Sequence, residues 1–282
     1  MRQLCGMWEE RGNAQHEALR ISAPESLFFY TEVIIMIRLL IFLILLVFFC
    51  LLLPFVWLAG MVGKLFDKAN PGKLVFYYLR ALMHLAVFVG GARVEATGLE
   101  NIPDDETVLY VMNHRSYFDV FVIYTFFKKP TGFVAKKELK YIPFINAYMH
   151  LAYCLFLDRK NLRQGLETIK KCIEMIESGI SMVIFPEGTR SKDHAHKTTL
   201  QEFHGGSFKP AQRTGCRIVP VTIWNSQEVF EAHLPWLKSV PVKIEFGAPI
   251  DMNELPKGDR KHIDVYVKNI IQETLVRLDA EA

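Results

Sequence analysis

The sequence is poor in cysteine, and none is paired by its spacing. Cys5, Cys50, Cys154, Cys172 and Cys216 make an odd set, and no two lie closer than 18 residues. No CxxC ladder for zinc or redox chemistry exists, so the expected state is reduced thiols, in a cytosolic compartment or in lipid. Excess charge is missing too. The net charge of +3 over 282 residues gives a nucleic-acid partner no global electrostatic support. There is no GxSxG elbow, so a serine acyl-enzyme of that type is not expected. HExxH is absent. His194, His196 and His204 are scattered beside Asp193 in a polar loop, and no metal is expected there. The chain has no internal repeat and no low-complexity segment.

Charge is also absent between Leu39 and Gly63. As a helix these 25 residues would extend about 37 Å, longer than a hydrocarbon core of about 30 Å. Membrane insertion is therefore expected. A cleaved signal peptide fits poorly, because the run is too long, starts too deep and has no small-residue cleavage site after it. Pro54 divides the run and predicts a kink. A second apolar stretch, Leu74–Val89, carries Arg80 and His84 and is amphipathic. Two arrangements stay open: one tilted span, or a helical hairpin lying partly in one leaflet with both ends on the same side. Basic residues flank the run on both sides and do not decide between them. The downstream chain has no secretory features, which places the main domain on the cytoplasmic side.

Beyond residue 90 the chain alternates β-rich and helical runs. Expected strands are Ala92–Ala96, Thr107–Met112, Gly132–Ala135, Tyr153–Leu157, Ser181–Phe185, Arg217–Ile223 and Val240–Phe246. The clearest helix is Leu162–Ser178, with Leu166, Ile169, Ile173 and Ile176 on one face, Asn161 and Gln164 as a capping box, and Gly179 just past its end. A last helix, about 260–278, places Ile263, Val267, Ile270, Ile271, Val276 and Leu278 near one side. This alternation predicts an α/β sheet with helices packed on it.

Two segments carry polar residues at strand ends, where open α/β sheets place their sites. The first is VLYVM followed by NHRSYFD. Asp119 three residues after Ser116 is the pattern of a helix N-terminus, and His114 is compatible with an ordinary loop histidine. The same residues suit a general base and the carboxylate that orients it. Spacing alone leaves both open. The second is SMVIFPEGTRS. Gly188 permits close backbone approach, Arg190 offers a planar fork for phosphate oxygens, and Thr189 and Ser191 add hydroxyls. Glu187 is unusual there, since a carboxylate repels phosphate. It is expected to hold a cation in place or to bind a substrate hydroxyl. A plain surface turn is the alternative. Between Lys128 and Lys140 five lysines stand against Glu138 alone, a solvated basic face or a seat for anionic headgroups.

Taken together, NHRSYFD, then VAKKELKYIPF with LDR, then IFPEGTRS, then IVPVTI resemble the four ordered blocks of the glycerolipid acyltransferase family, which includes the 1-acylglycerol-3-phosphate acyltransferases. The resemblance covers roughly residues 91–249. It implies a mixed sheet flanked by helices, with N-terminal membrane helices. The implied division is a polar tail over 1–32, membrane-anchoring helices over 33–90 and an acyltransferase domain over 91–282. It implies His114 as the base and Asp119 as its orienter. Lys136, Arg159 and Arg190 become phosphate binders, and Glu187, Gly188 and Thr189 part of the acceptor site. Gly206 fits a further family glycine. The implied reaction moves an acyl chain from acyl-CoA or acyl carrier protein to the sn-2 hydroxyl of lysophosphatidic acid, with no cofactor beyond the thioester. Anionic membrane lipids are expected partners. The rivals are another lysolipid or glycerol-3-phosphate as acceptor, a hydrolase or transacylase using the same His–Asp pair, and a non-catalytic membrane-binding module.

Overall fold

The computed structural model describes residues 25–66, 73–191 and 196–282. Most of the expected polar tail, residues 1–24, lies outside the described residues, as do Asp193 and His194 of the histidine-containing loop. A seven-stranded sheet organises the chain. Its strands are β1 (Ala92–Thr97), β2 (Leu109–Met112), β3 (Thr131–Lys136), β4 (Leu155–Leu157), β5 (Ser181–Ile184), β6 (Ile218–Trp224) and β7 (Val240–Phe246), in the order β1-β7-β6-β2-β5-β3-β4. The pairing of β6 with β7 is antiparallel and every other pairing is parallel. The sheet is therefore mixed, and five neighbouring strands, β6-β2-β5-β3-β4, all end at one rim.

Burial on both faces explains why β2, β5 and β6 are continuous apolar runs. Every residue of LYVM, SMVI and IVPVTIW is buried. Tyr110 and Met112 join Val219, Val221 and Ile223 in one core, while Leu109 and Val111 join Ile218 in the other. Each fully buried Val, Leu or Ile contributes about 1.5–3 kcal/mol. The helices that close the first core are α1 (Glu25–Phe66), α2 (Lys73–Gly90), α3 (Phe118–Phe126) and α4 (Ile145–Leu151). The second core is closed by α5 (Leu162–Glu177), α6 (Lys209–Thr214) and α8 (Ile263–Ala280), the last entered through the short α7 (Lys257–Lys261).

At α5 the end signals hold, except that the capping box is half formed, because Gln164 Oε1 accepts from Asp158 N and not from Asn161 N. Asn161 Oδ1 accepts from Gln164 N at 3.1 Å, and Gly179 has φ +90°. The buried face is rotated from the expected one: Ile176 is buried and Ile169 and Ile173 are half-buried, as expected. Leu166 is 57% exposed, and the buried row is Thr168, Cys172 and Ile176. Thr168 tolerates burial because its hydroxyl lies 3.1 Å from the Phe156 carbonyl and 3.0 Å from that of Gln164. On α8, Val276 likewise faces out and Leu275 takes the core position.

Pro54 lies inside α1. This helix runs along the domain: Phe42 meets Phe118, and Phe49 stacks on Tyr148 of α4, whose hydroxyl donates to the Phe49 carbonyl at 2.6 Å. Its other side exposes Leu40, Ile44, Val47, Phe48, Leu51 and Phe55. Among the described residues no helix is long and apolar enough to cross a membrane.

Candidate active site

The rim where the five parallel strands end gathers most of the chemistry-bearing residues. β2 delivers Asn113, whose side-chain amide donates to the Ile223 carbonyl at 2.9 Å and accepts from Ile223 N at 2.8 Å. That clamp fixes the strand end against β6. His114 comes next, 18% exposed at its side chain, with its ring stacked on Phe185 at 4.0 Å. Its Nδ1 lies 2.8 Å from Asp119 Oδ2. Asp119 is fully buried, and the same Oδ2 accepts the backbone N–H groups of Arg115 at 2.7 Å and Ser116 at 2.9 Å. Oδ1 accepts from Ser226 Oγ at 2.5 Å. Such a carboxylate holds the imidazole by Nδ1 and leaves Nε2 to take a proton from a hydroxyl.

The expected helix-start pattern is also present, in altered form. Ser116 Oγ accepts from Phe118 N at 2.9 Å, while Asp119 turns back onto the N–H groups before the helix. Asp119 thus serves the turn and the histidine at once, so the two interpretations of this segment are not exclusive.

β5 leads into the second turn, which brackets the backbone of His114. Glu187 Oε1 accepts from His114 N at 2.8 Å, and Ser191 N donates to His114 O at 3.0 Å. Glu187 Oε2 accepts from Gln201 N at 3.0 Å. The residue type suggests a cation or a substrate hydroxyl as the partner of Glu187. Its hydrogen bonds run instead to two backbone N–H groups. Burial pushes its carboxyl above the usual range, opposed by those N–H groups and then by the charges of His114 and Arg115. Gly188 has φ +77°, and a Cβ there would sit 3.1 Å from the His204 ring and 3.6 Å from Arg159 Cζ. No side chain fits comfortably, and Arg159 is brought to this turn from the end of β4. Thr189 is exposed, with its carbonyl accepting from Gln201 Nε2 at 3.3 Å.

Arg190 lies with Cζ 3.6 Å above the Tyr117 ring and donates from Nη1 to Glu231 at 2.9 Å. Lys136 ends β3 on the same rim, 60% exposed and paired with Glu138 at 3.4 Å. None of its polar contacts reaches the His114–Asp119 pair. Around Gly206 there is open space.

Sequence reasoning passes over Arg115, Ser226, Gln227 and Glu231. Arg115 is 2% exposed and donates to Gln227 Oε1, Thr199 O and His196 O, tying the loop before α6 to the turn that carries His114. The other three lie just after β6. For Ser226 and Gln227 the one available signal is the polar run NSQE (residues 225–228) directly after a buried strand, the same pattern that marks His114; Glu231 lies beyond that run. Among the described residues no group of three His, Cys, Asp or Glu is arranged to hold a metal. A cavity of about 500 Å³ opens beyond the β4 edge, lined by Lys137, Lys140, Tyr141, Tyr153, Phe156 and Met175 among others. It includes neither His114 nor Asp119.

Residues 93–224 match the family model described as Acyltransferase. The chain is 29% identical over 203 residues to the 1-acyl-sn-glycerol-3-phosphate acyltransferase of Borreliella burgdorferi, covering 72% of this chain and 80% of that one. To the protein of the same description from Saccharomyces cerevisiae it is 32% identical over 197 residues, covering 70% of this chain and 64% of the yeast one. The crystal structure of the 1-acyl-sn-glycerophosphate acyltransferase PlsC from Thermotoga maritima superposes with a TM-score of 0.70 at 24% identity. It covers 86% of this chain and 98% of its own, and shows that the fold is shared.

Proposed function

We propose that the chain is an acyltransferase that moves a fatty acyl group from a thioester to the sn-2 hydroxyl of lysophosphatidic acid, giving phosphatidic acid, as its similarity to the proteins of that description suggests. The donor is acyl-CoA or acyl carrier protein, and no other cofactor takes part. The observation that carries this is the His114–Asp119 pair held at one rim by the turn that presents Arg190, with Arg159 brought against that turn from the end of β4. Nε2 of His114 takes the acceptor proton as the hydroxyl oxygen bonds to the thioester carbonyl carbon. The tetrahedral oxyanion collapses, the C–S bond breaks, and the thiolate recovers the proton. Backbone N–H groups of Thr189 and Arg190 have no acceptor among the described residues and are the donors this turn offers to the oxyanion. Arg190, Arg159 and Lys136 receive the acceptor phosphate.

The proposed location is a membrane face, with the catalytic domain on its cytoplasmic side. The lengthwise packing of α1 on α3 and α4 supports the one-leaflet hairpin over a single span, because a perpendicular span would leave that contact. The exposed apolar side of α1 then lies in the acyl region. Tyr141, Ile142 and Phe144, exposed just before α4, extend that surface beside Lys136 and Lys140, which favours anionic lipids over nucleic acid as partners.

The test is to incubate detergent-solubilised protein with lysophosphatidic acid and a long-chain acyl-CoA, then read phosphatidic acid by mass spectrometry. Glycerol-3-phosphate and a headgroup-bearing lysophospholipid run in parallel, and acyl carrier protein replaces CoA in a second series. Product from wild type and not from His114→Ala is expected. Equal product from His114→Ala would end the mechanism. Transfer without any thioester would favour the hydrolase or transacylase chemistry.

A further inference from the structure

We infer that Glu231 is a positioning residue for Arg190, fixing its guanidinium at the acceptor end of the site. This rests on the proposed role of Arg190 in binding the acceptor phosphate. Glu231 opens a short 3-10 turn, Glu231–His233, beyond β6, and its side chain is 9% exposed. Oε1 accepts from Arg190 Nη1 at 2.9 Å and from Tyr117 N at 2.7 Å, and Oε2 accepts from Ser116 Oγ at 2.6 Å. One carboxylate therefore joins three segments: the turn after His114, the turn after β5 and its own.

The geometry of the arginine is what gives this its function. Glu231 holds one end of the guanidinium by Nη1, and the Tyr117 ring covers one face at 3.6 Å. A planar fork held at one end and on one face has little freedom left. Its remaining N–H donors keep a fixed direction, which a phosphate needs for two-point binding. An unheld arginine would lose that rotamer freedom at the moment the acceptor binds. Glu231 also sits at the N-terminus of α3, where any carboxylate is favourable. A helix-capping role alone would require only Tyr117 N and Ser116, and would leave the acceptor KM untouched.

The experiment measures kcat, acceptor KM and donor KM for wild type, Glu231→Ala, Glu231→Gln, Arg190→Ala and the Arg190→Ala/Glu231→Ala double variant. Arg190→Ala should raise acceptor KM by about tenfold to a hundredfold, the scale of a charged hydrogen bond. Glu231→Ala should raise it by roughly threefold to thirtyfold with donor KM within about twofold, and the double variant should be no worse than Arg190→Ala. Glu231→Gln keeps an oxygen for Tyr117 N and Arg190 and should restore most of the acceptor KM. An acceptor KM unchanged in Glu231→Ala, or effects that multiply in the double variant, would overturn the inference. An unchanged KM in Arg190→Ala would instead remove its premise. Should Glu231→Ala not fold, Glu231→Asp decides: the shorter side chain cannot reach both Ser116 and Arg190, and a wild-type acceptor KM there would be equally fatal.

Discussion

Replacing Asp119 with Asn removes one charge and little else, and the structure sets how much that should matter. In catalytic triads the same exchange is damaging chiefly because the amide can present its NH2 group to the histidine and so select the wrong tautomer. Here Oδ2 accepts two backbone N–H groups, from Arg115 and Ser116, as well as facing His114 Nδ1. An asparagine NH2 in that place would meet two donors. The amide oxygen must take it, and the NH2 then faces Ser226 Oγ, which can accept. The correct tautomer of His114 survives, and only the ionic part of its support is lost. A hydrogen bond to a charged group is worth about 1.5–3 kcal/mol, so kcat/KM should fall by roughly tenfold to a hundred-and-fiftyfold. The assay monitors release of the donor thiol at saturating lysophosphatidic acid, with the melting temperature read beside it. Asp119→Ala should lose far more, because it also strands two buried N–H groups. A loss of about ten-thousandfold in Asp119→Asn would refute the argument that the backbone pins the oxygen, and a change within about threefold would deny the carboxylate charge any part in the reaction.

Three further outcomes are expected. The Glu187 carboxyl titrates above its unfolded value because burial disfavours its charge. Its contribution to stability is therefore greatest below the ordinary carboxylate range and is lost as pH rises through the raised value. The melting temperature of wild type minus that of Glu187→Gln should decrease between about pH 4 and pH 7, and an increase would reverse the assigned cause. Cys154 and Cys172 are pushed up to about 12 by burial, so their thiolate fraction at pH 8 is of the order of one in ten thousand. Native protein treated with iodoacetamide at that pH should leave both unlabelled by peptide mass spectrometry, and rapid labelling would show that the edge of the sheet opens. Phe144→Ser combined with Tyr141→Ser should weaken sedimentation with phosphatidylglycerol vesicles severalfold while sparing transfer to detergent-presented acceptor; unchanged sedimentation would take this loop off the membrane-facing surface.

All seven strands are legible in the sequence to within two residues at either end; burial on both faces marks β2, β5 and β6, while β1 and β7 show the alternation of a half-buried strand. LYVM, SMVI and IVPVTIW are uninterrupted apolar runs because helices cover both sides of the sheet. Helix faces are less legible. Leu166 fits an apolar stripe on α5 yet faces out, while Thr168 and Cys172 face in. Hydropathy ranks leucine above threonine, but Thr168 is a better core residue at that point, since two carbonyls are within reach of its hydroxyl. On α8 the choice between Val276 and Leu275 turns on a rotation of one residue, which neighbouring apolar residues cannot resolve.

The site divides along a different line. His114 and Asp119 are five positions apart, and one turn of chain suffices to join them. Glu187, Gly188 and Arg190 are likewise one turn. Short spacing makes these groups visible as motifs. The residues that hold them come from far along the chain: Ser226 reaches Asp119 across 107 positions, Gln227 reaches Arg115 across 112, and Glu231 reaches Ser116 across 115. No local pattern encodes such partners, because the strand β6 brings them to the rim and their own turn has no periodicity. The polar run after β6 is informative only once β6 is known to lie beside β2. Glu187 makes the same point from inside a motif. Its residue type implies a ligand for a cation or a hydroxyl, whereas its oxygens accept from His114 N and Gln201 N and so set where two loops stand relative to each other. A carboxylate placed that way fixes the backbone of His114 relative to the loop at Gln201, and its loss should disturb the position of His114 first.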